Sequence, residues 1–259
     1  MSKEFENNDP IRNGRRRFIG AGAGLLGMAW ATQASAGWRF ICDRPRPCFL
    51  EGTRIETETG LVPVEMLKAG DRVRTLDGTF KPIRWVGSST VTKAHAGDWP
   101  RNDAPILIRK DALGDGAPRT DLRVSAQHAF YFDGVLVKVK DLVNGLTIIR
   151  DTAFAANELH YYHVELEAHD VIFAEGAAAE TFRAHRDNRS LFDHGSGVGQ
   201  LARETAPFAP ILTLSRKTKA VVQLKSAIMP GRNHAGRIGE INRMIIARAE
   251  AGMTGRRAA

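Results

Sequence analysis

Cysteine is scarce in this chain: its 259 residues include only Cys42 and Cys48, so at most one disulfide can form within it. Tight pairs of metal ligands such as C-x-x-C or H-x-x-x-H are missing. His160 and His163 are close in sequence, but the pattern around them is that of a strand and not of a helix. The sequence therefore predicts no metal site and no cofactor.

Long apolar runs are also missing, and no basic stripe carries interleaved aromatic residues. The formal net charge is +8, but part of the basic excess lies near the N-terminus and part in the C-terminal tail. We therefore predict no nucleic-acid partner and no stable membrane span once the leader is removed. The alternative, a basic nucleic-acid binder, would show steep salt dependence of binding.

Residues 1–36 have the order of an export signal. A polar start leads to Arg15-Arg16-Arg17-Phe18-Ile19, then to a short Gly/Ala/Leu run, then to the A-x-A site Ala34-Ser35-Ala36. The arginine pair resembles the twin-arginine signal, although Gly14 and Gly20 replace its usual flanking residues. We predict a periplasmic or extracellular protein that uses the twin-arginine export machinery. An ordinary secretory leader or an uncleaved anchor remains open.

Residues 37–47 form a short basic segment whose prolines favour extended backbone. Cys42 lies in this segment, and Cys48 follows it. In an oxidising compartment the two thiols can pair, but the bridge would close only a small loop and stabilise modestly. A catalytic thiol has to stay free, so bridging and catalysis are alternatives.

From residue 48 to 182 the pattern predicts an all-β domain. Short runs with period-two alternation are separated by glycine, aspartate and proline, as in antiparallel sheets. The predicted strands are 54–57, 71–75, 82–86, 106–108, 122–124, 135–139, and a further strand pair at 161–166 and 170–174 with a turn at 175–176. A helical turn is predicted at 64–67, with loops at 95–101 and 111–121.

Residues 183–259 form a basic, partly helical C-terminal extension. Glu240 to Ala251 is predicted as a helix with Ile241, Met244, Ile245 and Ala249 on one side. Two interpretations remain open, namely a helix docked on its own domain and a basic helix that binds a partner.

Three features of the β domain carry reactive groups. Cys48 begins the domain, Ser125 and His128 share one connection after a predicted strand, and His163 and His169 come late. Each feature is weak alone, because a single cysteine or histidine is usually structural.

The residues around these features resemble a known family. The opening C-F-x-x-G-T-x-I-x-T, then G-x-V-P-V-E-x-L-x-x-G-D-x-V-x-T-x-D-G, then P-I-R-W-V-G is similar to the Hint domains of Hedgehog proteins and inteins, in their bacterial form. The resemblance covers Cys48 to about Phe182, and residues 187–192 look like the family's continuation. It implies a curved all-β disc with pseudo-two-fold symmetry.

The resemblance also implies the chemistry. Cys48 would attack the Pro47 carbonyl in an N-to-S acyl shift, so the chain's own N-terminal segment is the substrate. Ser125 and His128 match the family's T-x-x-H motif, in which the histidine bonds the scissile amide nitrogen and protonates it. His163 lies where many inteins have aspartate, and His169 matches a later histidine of the family.

One departure narrows the reaction. Splicing inteins end in His-Asn, whereas residues 175–181 read EGAAAET. We therefore predict one-sided N-terminal cleavage, single-turnover and autocatalytic, with water or an unknown nucleophile as acyl acceptor. The alternative hypothesis is an exported Hint-fold interaction module that does not cleave and has a structural Cys42–Cys48 disulfide.

Overall fold

The computed structural model describes residues 46–185, 188–193, 204–214 and 234–257. The predicted export signal and basic segment, with Cys42, lie outside these residues except for Arg46 and Pro47. The described body is built from short strands and turns, so the all-β prediction is confirmed.

The strand bounds follow the alternation of apolar and polar residues along the chain. In chain order the strands are β1 (Phe49–Leu50), β2 (Arg54–Thr57), β3 (Gly60–Pro63), β4 (Arg72–Arg74), β5 (Phe80–Pro82), β6 (Trp85–Thr92), β7 (Ile106–Ile108), β8 (Leu122–Val124), β9 (Ala129–Phe132), β10 (Val135–Lys138), β11 (Ile148–Arg150), β12 (Glu158–Glu165), β13 (Val171–Ala174), β14 (Ala177–Glu180) and β15 (Ile211–Leu212).

The strands form two sheets. The six-stranded sheet has the order β11-β7-β8-β1-β12-β6, which places the two-residue strand β1 between β8 and β12. The nine-stranded sheet has the order β15-β10-β9-β14-β13-β2-β4-β5, with β3 paired to β2. Pairing is antiparallel except between β10 and β15. The strand from the C-terminal extension, β15, is therefore part of the domain's own sheet.

Helical structure is sparse in the body. Short 3-10 helices span Val64–Met66, Val139–Asp141 and Asn188–Leu191, and the first of these confirms the predicted helical turn. One α-helix, α1 (His234–Arg257), is longer than the predicted 240–251. No helix within the described ranges has the length and hydropathy that a membrane crossing requires.

Two strand predictions need correction. The predicted strand 82–86 is interrupted at Ile83 and Arg84, because Ile83 bonds back to Gly70 and Asp71 while the amide of Arg84 donates to Glu165 in β12. The chain passes there from one sheet to the other. The predicted pairing of 161–166 with 170–174 is also wrong, since β12 pairs with β1 and β6, and β13 pairs with β14 and β2.

Helix α1 docks on its own domain, which is one of the two predicted interpretations. Ile238, Ile241 and Ile245 are buried in the main core cluster, which also contains Phe49, Phe130 and Leu142. Ala249 is buried as predicted, but Met244 is 42% exposed, which corrects its predicted place on the packed face.

Candidate active site

Cys48 lies immediately before β1, in the middle of the six-stranded sheet. Phe49 pairs with Val124 of β8 and with Tyr162 of β12. One residue further along these antiparallel registers, Cys48 comes opposite Ser125 on one side and His163 on the other. The register therefore brings together residues that are far apart in sequence.

Ser125 holds the backbone on both sides of Cys48. The Cys48 N–H donates to Ser125 Oγ at 2.8 Å, and the Ser125 N–H donates to the Cys48 carbonyl at 2.9 Å. The hydroxyl of Ser125 donates in turn to the carbonyl of Arg46. Ser125 thus makes three hydrogen bonds to the backbone around the Pro47–Cys48 peptide bond, one of them with the N–H of that bond.

This arrangement corrects one expectation. The family resemblance implies that His128 bonds the nitrogen of the scissile amide, whereas the structure gives that N–H to Ser125. Within the described residues, both ring nitrogens of His128 are buried without a hydrogen-bond partner. The ring instead stacks at a tilt on Phe49, with 4.2 Å between centroids.

The three histidines predicted for the site form a buried group, which we call the histidine cluster (His128, His163 and His169). The rings of His128 and His163 have centroids 5.3 Å apart. The Nδ1 atom of His163 accepts a hydrogen bond from Val164 N–H at 3.2 Å, and that of His169 accepts one from Phe208 N–H at 2.9 Å. In the part of the chain that the structure describes, the Nε2 atoms of His163 and His169 have no hydrogen-bond partner.

Burial lowers the pKa of two imidazoles of the cluster, those of His128 and His163. It lowers the pKa of His128 to about 3, and the nearby His169 adds to the effect. It also lowers the pKa of His163 well below the ordinary value, with His128 and His169 contributing. A neutral imidazole has one free lone pair that a proton can occupy, and burial makes this protonation more costly.

The thiol of Cys48 is free and 1% exposed. Burial raises its pKa well above the ordinary value, and Glu180 adds to this while Arg46 acts in the opposite direction. The thiol is therefore protonated at neutral pH and needs a base before it can attack. Its predicted bridging partner, Cys42, lies outside the described residues.

Aromatic side chains close the site. Cys48 packs in a cluster with Tyr161, Phe182 and Phe192. The guanidinium of Arg46 lies 5.7 Å from the centroid of the Phe192 ring. The segment after the β domain therefore contacts the residue two positions before the cysteine.

The sequence pattern does not single out Glu180, which lies beside this group. Its Oε1 accepts from Ala129 N–H at 2.8 Å, and its Oε2 lies 3.5 Å from His169 Nε2. The only sequence signal was its place in the stretch 175–181, where the expected His-Asn pair is replaced. Among the described residues, no group of three or more His, Cys, Asp and Glu side chains has the arrangement of a metal site.

Comparisons with solved structures find inteins at low identity. The gp41-1 intein is 14% identical, with a TM-score of 0.36, over 51% of this chain and 97% of that chain. A DnaB intein from Synechocystis is 9% identical, with a TM-score of 0.36, over 53% and 99%. A bacterial intein-like domain from Clostridium thermocellum is 17% identical, with a TM-score of 0.36, over 53% and 99%. A comparison with curated proteins found no match.

The family assignment rests on a different comparison. The family model described as "Hint domain" matches residues 47–186, which begin one residue before Cys48 and include the whole histidine cluster. This match covers more than half of the chain, and the chain therefore belongs to the Hint family, whose domains are in general self-processing.

Proposed function

We propose that this protein cleaves its own Pro47–Cys48 peptide bond by an N-to-S acyl shift, on the N-terminal side only. His128 accepts the proton of the Cys48 thiol, and the sulfur attacks the Pro47 carbonyl carbon. The C–N bond then breaks, and the nitrogen of Cys48 takes the proton from His128 and becomes an amine. Water or another nucleophile finally releases the acyl group and restores the thiol.

The observation that carries the proposal is the pair of hydrogen bonds that the Ser125 hydroxyl makes on either side of the scissile bond. Its hydroxyl accepts from the Cys48 N–H at 2.8 Å and donates to the Arg46 carbonyl, so it contacts both sides of the bond to be broken. A fixed peptide beside its nucleophile lowers the entropic part of the barrier. A purely structural cysteine does not require such a contact.

The unpartnered ring of His128 supports the same proposal. A buried polar group without a hydrogen bond costs stability, so its retention needs a reason. The ring packs on Phe49, the residue that follows the cysteine. A neutral imidazole can act as a base for the thiol and, once charged, as an acid for the leaving nitrogen. His163 and His169 complete the buried surroundings of this ring.

One-sided cleavage is favoured over splicing by residues 175–181. This stretch reads EGAAAET and lacks the His-Asn pair that ends a splicing intein. It ends in Glu180 and Thr181, and the Thr181 hydroxyl accepts from Asp170 N–H at 2.8 Å. Neither side chain can cyclise onto its own backbone as asparagine does. The reaction is therefore confined to the bond before Cys48.

We place the reaction outside the cytoplasm, after export by the twin-arginine pathway. The substrate is the N-terminal segment of the same chain, and the acyl acceptor is water or a nucleophile of the exported compartment. The twin-arginine pattern of residues 15–19 supports this part of the proposal.

A second candidate function is an interaction module that does not cleave. The observation that favours it is the burial of the Cys48 thiol, whose raised pKa opposes formation of the thiolate. In that case, Ser125 would only fasten the N-terminal segment to the domain.

Intact mass spectrometry of the purified full-length chain, with and without added thiol, tests the two candidates. Self-processing predicts a fragment that begins at Cys48, faster formation with thiol, and no fragment from Cys48→Ala. The matched control Cys42→Ala should cleave like the parent chain. A parent chain that stays as intact as Cys48→Ala would leave the interaction module as the function.

A further inference from the structure

Glu180 ends β14 with a carboxylate that is almost completely buried. The residue is 5% exposed, and its two carboxylate oxygens lie next to the backbone that follows His128 and next to the ring of His169. Oε1 accepts the N–H of Ala129, the residue that follows His128, at 2.8 Å. Oε2 faces His169 Nε2 at 3.5 Å. One side chain therefore links the backbone beside His128 to the ring of His169.

A comparison with the other buried glutamates shows how Glu180 differs. Among the described residues, Glu165 and Glu175 are the other two glutamates with similar burial. Glu165 is paired with Arg189, and Glu175 with Arg54. Glu180 faces a histidine instead. Burying a carboxylate is costly, and arginine is the usual compensation when the purpose is structural.

The hydrogen bond to His169 defines which ring nitrogen carries the proton when the ring is neutral. The Phe208 N–H donates to Nδ1 at 2.9 Å, so a neutral ring carries its proton on Nε2, the nitrogen that faces Glu180. A carboxylate is only an acceptor when ionised, so it matches this tautomer. The Phe208 N–H thus bonds one nitrogen of the ring, and the Glu180 carboxylate lies 3.5 Å from the other.

We propose that Glu180 is a positioning residue for self-processing. It favours the Nε2–H tautomer of His169 and, through Ala129, holds the backbone next to His128, whose own N–H donates to the Ser125 carbonyl at 3.1 Å. Partners of this kind set the tautomer and orientation of a histidine without touching the reacting atoms. The inference rests on the proposed function, and it assigns a role to a side chain of the stretch 175–181, which lacks a His-Asn pair.

The substitution Glu180→Gln tests the role with almost no change in shape. The amide oxygen can still accept from Ala129, but the amide NH2 then meets the Nε2–H of His169. A neutral imidazole has only one acceptor nitrogen, so His169 cannot accept from both this NH2 group and the Phe208 N–H. The matched control is Glu175→Gln, a glutamate of equal burial on the same hairpin that is paired with Arg54.

Two readouts are measured. The first is the rate of thiol-induced cleavage at Cys48, which we expect to fall at least about tenfold in Glu180→Gln relative to Glu175→Gln. The second is the tautomer of His169, from its ¹⁵N ring shifts in the uncleavable Cys48→Ala background. We expect the Nε2–H form in that background, and a loss of this form when Glu180→Gln is added.

Either of two results would overturn the proposal. One is an Nδ1–H tautomer of His169 in the Cys48→Ala protein, which needs no Glu180 variant to fold. The other is an unchanged tautomer in Glu180→Gln, whatever its cleavage rate, since a slower reaction alone would indicate a structural role. If the parent chain never cleaves, the proposed function fails, and the tautomer measurement still decides whether Glu180 positions His169.

Discussion

The histidine cluster and Asp141 are both buried and polar, but they differ in how they are hydrogen-bonded. In the histidine cluster, and within the described ranges, four ring nitrogens have no hydrogen-bond partner: both of His128, and Nε2 of His163 and of His169. At Asp141, the carboxylate oxygen Oδ2 accepts from Thr213 Oγ1 at 2.9 Å and from Leu214 N–H at 3.0 Å. Its backbone carbonyl accepts from Asn242 Nδ2 at 2.9 Å.

The difference indicates separate roles: Asp141 contributes to stability, and the histidine cluster is suited to a reaction. The bonds at Asp141 attach the segment 204–214 and helix α1 to the domain, so they contribute directly to stability. Unpartnered imidazoles lower stability, but they leave lone pairs and protons available for a reaction. The segment 204–214 contacts both groups, since it also donates the Phe208 N–H to His169.

The largest expected effect is that of His128→Leu. Leucine has a similar volume and no polar atoms, so it removes the proposed base and also two unsatisfied nitrogens. We expect cleavage at Cys48 to slow by about 10²–10⁴-fold. The free energy of unfolding should stay within about 1 kcal/mol of the parent value or rise. Mass spectrometry measures the cleavage rate, and urea unfolding measures the free energy of unfolding. A large loss of stability would contradict the view that the unpartnered His128 ring does not stabilise the fold.

The substitution Asp141→Asn should have the opposite profile. The amide oxygen can accept the same two hydrogen bonds, but it lacks the negative charge that strengthens them, so we expect a loss of about 1–2 kcal/mol in the free energy of unfolding. The exposed Asp133→Asn is the matched control and should change it little. Among molecules that remain folded, the cleavage rate should be that of the parent. If Asp141→Asn slowed cleavage as much as His128→Leu, Asp141 and the histidine cluster would not have separate roles.

The pH dependence of stability should come from His128 and His163. Its cause is that burial lowers the pKa of His128 from 6.5 to about 3, so the unfolded chain binds a proton between these pH values that the folded chain does not. The free energy of unfolding should therefore fall as pH drops below 6.5, by about 2 kcal/mol at pH 5 for this residue. His163 acts in the same direction, because its pKa is also lowered.

Urea unfolding at pH 7 and pH 5 in the Cys48→Ala background measures this effect. His128→Leu should reduce the difference between the two pH values. The control His160→Gln changes a histidine whose side chain is 42% exposed, and it should leave the difference as in the parent. Equal differences in all three proteins would show that the His128 ring does not carry the pH dependence.

The smallest expected effect is that of Ser125→Ala. It removes the hydroxyl that bonds the Cys48 N–H and the Arg46 carbonyl but keeps the backbone N–H, so we expect cleavage to slow by roughly tenfold. Ser125→Thr restores the hydroxyl in the form that the T-x-x-H motif has, and it should recover most of the rate. Equal rates in Ser125→Ala and the parent would show that the bond is held by the backbone alone.

Local pattern was sufficient to predict much of the fold. Strands 54–57, 106–108 and 122–124 match β2, β7 and β8, because alternation and turn residues are local signals. Pairing is not local, which explains why β12 and β13 were wrongly paired with each other. The exposure of Met244 likewise depends on which face of α1 meets the domain. Of the helix residues whose burial the structure describes, Ile238, Ile241 and Ile245 belong to the main core.

The sequence by itself determined the nucleophile candidate, the Ser125 and His128 pair and the absence of a His-Asn end, since these are residue types at fixed positions. Only the tertiary structure decided which residues form hydrogen bonds with each other in the site. Ser125, which lies 77 residues from Cys48, takes the scissile N–H in place of His128 because β1 pairs with β8. Glu180 reaches His169 and Ala129 because β14 lies between β9 and β13, a proximity that no local spacing encodes.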